Sequence, residues 1–218
     1  AIIFFSDCDR FWFFSKYLHE KYTETASIGS TTYVNFSSDN NSINSSNDSL
    51  SSKYGVTALA IFSGIEVSFG CLFEIDRHPK NYKFHITQAL NSLTSYENTC
   101  CLEFSTAFSM GEELILDTFN ELLEPLSIPV VGASAGNLGV ELEGTKTLVA
   151  LNGDMYKNTC VFIFIHNLNG KIVTYRENIF IPSGINFTAT DVDCEERTVY
   201  EYDNVPALQA MSNALGVD

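Results

Sequence analysis

Leu148-Val149-Ala150-Leu151-Asn152-Gly153 decides how this chain is read, because Leu59-Ala60-Ile61-Phe62-Ser63-Gly64 matches it earlier in the sequence. The register holds onward, setting Gly70-Cys71-Leu72-Phe73 against Thr159-Cys160-Val161-Phe162. Working outward, Ile2-Ile3-Phe4-Phe5-Ser6 answers to Cys101-Leu102-Glu103-Phe104-Ser105, each ahead of a helical stretch. Ala26-Ser27-Ile28-Gly29-Ser30-Thr31 likewise answers to Pro129-Val130-Val131-Gly132-Ala133-Ser134. Four matched blocks in one order argue for duplication. The expectation is an α/β fold of two tandem strand-helix-strand-hairpin repeats in mixed sheets, about 1–98 and 99–180, related by a pseudo-twofold axis. A second α+β domain is expected to start over 181–218.

Within each repeat the spacing predicts the elements. Phe11, Phe14, Leu18 and Tyr22 recur at helical intervals, as do Leu114, Phe119, Leu122 and Leu123 after the acidic start Glu112-Glu113. A connecting helix around Tyr82 to Tyr96 carries Ile86, Ala89, Leu90 and Leu93 on one face. Ser63-Gly64, Asn152-Gly153 and Asn169-Gly170 lie between β-rich runs and predict hairpins, since these residues tolerate positive φ. Phe11-Trp12-Phe13-Phe14 cannot all face inward from one helix, so at least one ring should stay exposed. Ser37 to Lys53 is almost wholly Ser, Asn and Asp and reads as a mobile surface loop, with a ligand-capping lid as the alternative. Near the end, Ile181-Pro182-Ser183-Gly184 is a turn, Phe187–Thr190 and Thr198–Tyr202 alternate as strands, and a helix follows Pro206.

Composition narrows the function classes. The 218 residues are 45% hydrophobic, enough for a sizeable core, and carry a formal charge of −15 with a pI near 4.5. Such a field repels phosphate backbones and anionic headgroups, so neither nucleic acid nor a membrane surface is an expected partner. The longest dense apolar stretch, Val161 to Ile165, is far short of the ~18 to 20 residues of a membrane span. Nothing marks secretion, and a cytoplasmic fragment of a larger protein is expected. The six cysteines, at 8, 71, 100, 101, 160 and 194, read as reduced thiols, with Cys71 and Cys160 inside apolar runs.

Pro129 to Asn137 followed by Thr147 to Gly153 resembles the Gly-rich segment and strand end of the FIST N-terminal domain. Independently, Phe187–Asp191, Val199–Asp203 and Pro206-Ala207-Leu208 are similar to the opening of the FIST C-terminal domain. The resemblance implies an intracellular sensory input domain that binds a small ligand, with amino acids proposed, and couples to a C-terminal output domain of the parent protein. It implies no enzyme activity, catalytic residue or cofactor, and it leaves a homodimer open.

Other motifs weigh less. Gly132-Ala133-Ser134-Ala135-Gly136 fits the nucleophile elbow of a serine hydrolase, with Asp154 and His166 following in triad order. The elbow needs a helix directly after the serine, whereas Asn137-Leu138-Gly139-Val140 is poor in helix formers. A protein–protein interaction module built on the aromatic run is a third reading. No two histidines stand at the i, i+4 spacing of a helical zinc site, and no metal is expected. In sheets crossed by helices, ligands meet the carboxyl ends of strands. Ser6, Asp7, Ser30, Thr31, Ser105, Thr106, Ser134 and Asn137 occupy such ends and form the candidate ligand-binding set.

Overall fold

In the computed structural model the described residues are 1–32, 56–61, 63–77, 80–107, 109–136, 147–175 and 180–217. The segment Ser37–Lys53 and Asn137 lie outside them. The chain divides into two compact units, Ala1–Thr174 and Tyr175–Asp218.

The first unit runs β1 (Ile2–Ser6), α1 (Cys8–Lys21), β2 (Ser27–Thr31), β3 (Val56–Ala60), β4 (Ile65–Phe73), α2 (Tyr82–Leu90), β5 (Thr99–Ser105), α3 (Glu112–Leu123), β6 (Val130–Ser134), β7 (Val149–Leu151), β8 (Asp154–Tyr156) and β9 (Thr159–Asn167). These strands form two mixed sheets, one ordered β3-β1-β2-β7-β8 and the other β4-β9-β5-β6. Alternation along the strands explains how the sheets are covered. Ile3, Ile28, Val149 and Leu151 of the first sheet share one buried cluster with Phe104, Val161, Ile163 and Ile165 of the second, so the sheets pack face to face. Phe5 and Phe104 meet across that interface edge to face, ring centroids 5.3 Å apart. The opposite faces carry helices. Phe4 and Ala150 pack with Phe11 of α1, while Cys101, Cys160, Phe162 and Phe164 pack with Ile86 and Ala89 of α2 and Ile115 and Phe119 of α3. The result is four layers: helix, sheet, sheet, helices.

Glycines opposite large rings let the helices close on the sheets. Gly29 pairs with Phe4, and a Cβ on Gly29 would lie 2.4 Å from the Phe4 ring. Gly70 pairs with Phe162 in the same way, at 2.6 Å. Each ring folds over its glycine and meets a helix aromatic, Phe4 with Phe11 at 5.4 Å and Phe162 with Phe119 at 5.3 Å. The carboxylate of Asp7 caps α1 by accepting from the Arg10 N–H at 3.1 Å. The Ser68 hydroxyl donates to the Ala89 carbonyl at 2.6 Å and ties α2 to β4.

The mixed α/β class expected from the sequence is what the structure has, with four α-helices among the described residues. The finer symmetry is different. β3-β1-β2 and β9-β5-β6 share one plan, a parallel β-α-β pair with an antiparallel strand beside its first strand. The strands that carry the matched blocks around Leu59 and Leu148 instead take different places, β3 against β1 and β7 against β2. Cys71 and Cys160 are not equivalent either, since Cys71 faces the inter-sheet core and Cys160 the helices. Of the three hairpin signals, Asn152-Gly153 is a two-residue turn between paired strands, with φ of 50° and 89°. Ser63-Gly64 instead carries the chain from one sheet to the other, because β4 gains a nine-pair ladder with β9 where β3 offers five residues. Asn169-Gly170 follows β9 without a partner strand after it among the described residues.

The second unit has β10 (Ala189–Asp193), β11 (Thr198–Tyr202), β12 (Val205–Pro206) and α4 (Ala207–Leu215). Asp203 and Asn204, both at positive φ, turn β11 into β12, and Gly216 ends α4 in the left-handed region. The Asp193 carboxylate accepts from the Glu195 and Glu196 N–H groups, both at 2.9 Å, which makes the acidic stretch a local turn.

All six cysteines are described, and no disulfide joins them. Cys101 and Cys160 are fully buried and Cys194 is exposed. Labelling of the native protein with a thiol reagent should modify Cys194 first and spare Cys160 and Cys101 until denaturant is added; rapid native labelling of Cys160 would contradict the helix-covered face.

Candidate functional site

The carboxyl ends of β1, β2, β5 and β6 meet at one end of the first unit. The Gly136 N–H donates to the Thr31 carbonyl at 2.8 Å, joining the end of β6 to the end of β2. The Leu148 N–H donates to the Thr31 hydroxyl at 3.0 Å, and the Ala107 N–H donates to the Thr147 hydroxyl at 3.1 Å. Thr147-Leu148 is therefore a strap from one sheet to the other. Of the candidate set, Ser6, Asp7, Ser30, Thr31, Ser105, Thr106 and Ser134 are all at this end; Asn137 lies outside the described residues.

Most of these hydroxyls are turned inward. Ser6 donates to the Asp7 carbonyl and Ser30 to the Thr31 carbonyl, both at 3.1 Å. The Thr106 hydroxyl accepts the Thr159 N–H at 3.1 Å and donates back to its carbonyl at 3.4 Å. Such bonds fix the strand ends and satisfy buried polar groups. Two positions differ. Ser134 is exposed. Asp7 is only 4% exposed, and its second carboxylate oxygen, Oδ2, has no hydrogen-bond partner among the described residues.

The hydrolase triad does not assemble. Ser134 stands beside Ser105, at the end of β5, whereas His166 stands beside Thr99, at its start. Six residue steps at about 3.3 Å put about 20 Å between the two levels. Asp154 belongs to the other sheet. The His166 ring instead contacts the Thr99 hydroxyl at 3.2 Å.

One group the sequence reading passed over is Glu103, on the helix-covered face of β5. Its carboxyl leans over its strand partner Gly132, where a Cβ would meet the Glu103 carboxylate and carbonyl. The Cys160 thiol donates to Glu103 Oε2 at 3.5 Å. Burial pushes the Glu103 carboxyl from its ordinary 4.5 up to about 7, with the thiol bond acting weakly the other way. The readable signal was a lone acid on the same strand face as Cys101, opposite a glycine.

Two clefts open at the amino ends of β5 and its neighbours. One, of about 820 Å³, has a mixed lining in which Asn98, Asp117, Asn120, Glu124 and Ser127 stand among apolar residues such as Leu116 and Ile128. The other, of about 580 Å³, lies between the sheets beneath Leu59 and Ile61. Among the described residues no group of three or more His, Cys, Asp or Glu side chains is placed to hold a metal ion, and no helix is long and apolar enough to cross a membrane.

Together these features define a four-layer α/β domain whose polar strand ends are strapped together. The FIST N domain model matches residues 1–204, and the chain belongs to that family. FIST domains are generally sensory domains of signal-transduction proteins and are not typically catalytic. The match continues through β10 and β11, past the boundary expected at 181. Comparison with curated proteins gave no match.

Glu103 supplies a pH test. A group whose folded pKa is raised stabilises the fold fully below its unfolded pKa and loses that contribution as pH rises through the folded value. Between pH 5 and pH 8 the protein should lose stability through Glu103, on the order of 3 kcal/mol in the limit. Urea melts of the Glu103→Gln variant should show a flatter pH dependence over that window; an unchanged slope would remove Glu103 as its source.

Proposed function

We propose that this chain is a cytoplasmic sensory input module that binds a small ligand at the strand ends and passes the binding free energy to an output domain of the parent protein. Family membership supports the signalling role. Tyr175–Asp218 is read as the start of a FIST C-terminal-like domain lying between the two. The observation that carries ligand binding is Asp7 Oδ2, a buried carboxylate oxygen without a partner among the described residues. An unpaired buried acceptor is costly, and a ligand ammonium would satisfy it with a charge-assisted bond. That chemistry fits a free amino acid. Ser134, at the end of β6, is the exposed hydroxyl of the same strand-end set.

A protein contact on α1 is favoured by a separate observation. Trp12 and Phe13 are 56% and 55% exposed, and Phe13 stacks on Tyr17 with centroids 5.9 Å apart.

Asp7→Asn isolates the first reading, because Asn caps a helix as well as Asp and keeps the Oδ1 acceptor. Individual L-amino acids should be screened by thermal shift, where a ligand at about 100 times its Kd stabilises by about 2.7 kcal/mol. One should raise the Tm of the parent and not of Asp7→Asn; a shift that survives the substitution places the ligand elsewhere. For the second reading, gel filtration of Trp12→Glu should show a later elution than a dimeric parent, and an unchanged volume from a monomeric parent removes it.

A further inference from the structure

The cleft beneath Leu59 arises from a mismatch in sheet width. The first sheet has five strands and faces one of four, and β3, at the edge of the wider sheet, is exposed along its whole length. Leu59 pairs with Ile3 and so points to the same side, toward the second sheet, yet it is 59% exposed. Below it the lining is Ile3, Ile61, Cys100, Leu102 and Ile165. At one end stand the carboxamides of Asn167 and Asn169, brought there by two turns that the Leu168 N–H bond to the Gly64 carbonyl, 2.9 Å, holds together. A Cβ on Gly64 would lie 2.9 Å from the Asn169 amide nitrogen, and one on Gly170 would lie 2.9 Å from that of Asn167. The two glycines thus leave room for the amides.

We infer that this inter-sheet cleft is a second binding site, for an uncharged small molecule with an apolar body and one hydrogen-bonding group directed at Asn167 and Asn169. Three observations select that class. The volume, about 580 Å³, falls within the ~300 to 1,000 Å³ of small-molecule sites. Among the described residues the lining has no acidic or basic side chain, so an ion entering it would lose hydration without a partner there. Its polar groups gather at one end, which orients a ligand having one polar end. The Cys100 thiol, pushed up by burial, stays neutral and adds to the apolar wall. This cleft sits at the amino ends of β1 and β5, opposite the strand ends around Asp7, so the inference goes beyond the ligand reading above and stands or falls separately from it.

Nile red, a neutral apolar dye, is the probe. Fluorescence titration of the 218-residue chain should saturate at one dye per chain. Leu59→Glu, at an exposed position, and Cys100→Phe, which fills the cleft, should each weaken binding by about tenfold or more. Leu116→Glu, in the wall of the neighbouring cleft, should leave it unchanged. Circular dichroism confirms that each variant is folded. Non-saturable dye uptake, or parent-like affinity in both cleft variants, overturns the inference. So does a dimeric parent that Leu59→Glu dissociates, since the face is then covered by a second copy.

Discussion

Everything in the first unit hangs on β9 being apolar on both faces. Cys160, Phe162 and Phe164 point one way, Val161, Ile163 and Ile165 the other, and all six are buried. A strand of this kind has to be covered above and below and flanked on both edges. The structure meets all four demands: α2 and α3 on one face, the five-stranded sheet on the other, β4 and β5 at the edges. The four-layer architecture is the answer to one strand's composition. At ~25 cal/mol per Å² its side chains are among the larger contributors to the core.

The strand ends show how polar chemistry is fitted around that core. Serines and threonines there spend their hydroxyls on neighbouring backbone, which rigidifies the loops that hold Asp7 and Ser134 in place. Glu103 is a different case, a carboxyl accepted into the apolar layer because Gly132 has no side chain to compete for the space. Its neighbours on that face are the raised thiols of Cys101 and Cys160, so no cation offsets its charge there. Burial in those surroundings is what lifts its carboxyl to about 7.

Local signals in the sequence carried a good part of the fold. Phe11 and Phe119, read from helical spacing, are buried helix contacts, and Asn152-Gly153 is a true hairpin because β7 and β8 are too short to do anything else. Trp12 and Phe13 are exposed, as the crowding of four aromatics required. Ser63-Gly64 misled because a turn signal says that the chain bends and not which sheet receives the next strand. That choice was made by the long ladder available on β9, a contact distant in sequence. For the same reason the matched blocks around Cys71 and Cys160 marked like strands without like faces. In the candidate site, the grouping at strand ends was legible from topology, whereas the direction of each hydroxyl was not, since it depends on partners such as Leu148 and Thr159 that only folding brings near.

The ladder between β4 and β9 also sets an order of events during synthesis. Among the described residues β4 has no other strand partner, and β9 is the last strand of its unit to be made. While residues 74 to 158 are translated, Ile65–Phe73 is a nine-residue strand with both edges bare and much of its surface apolar. β2 likewise waits for β7. Long-range pairing of this kind is slow to form and aggregation-prone until it closes. The ladders of both β2 and β4 are therefore completed only by strands made after residue 148, so each half of the unit borrows an edge from the other.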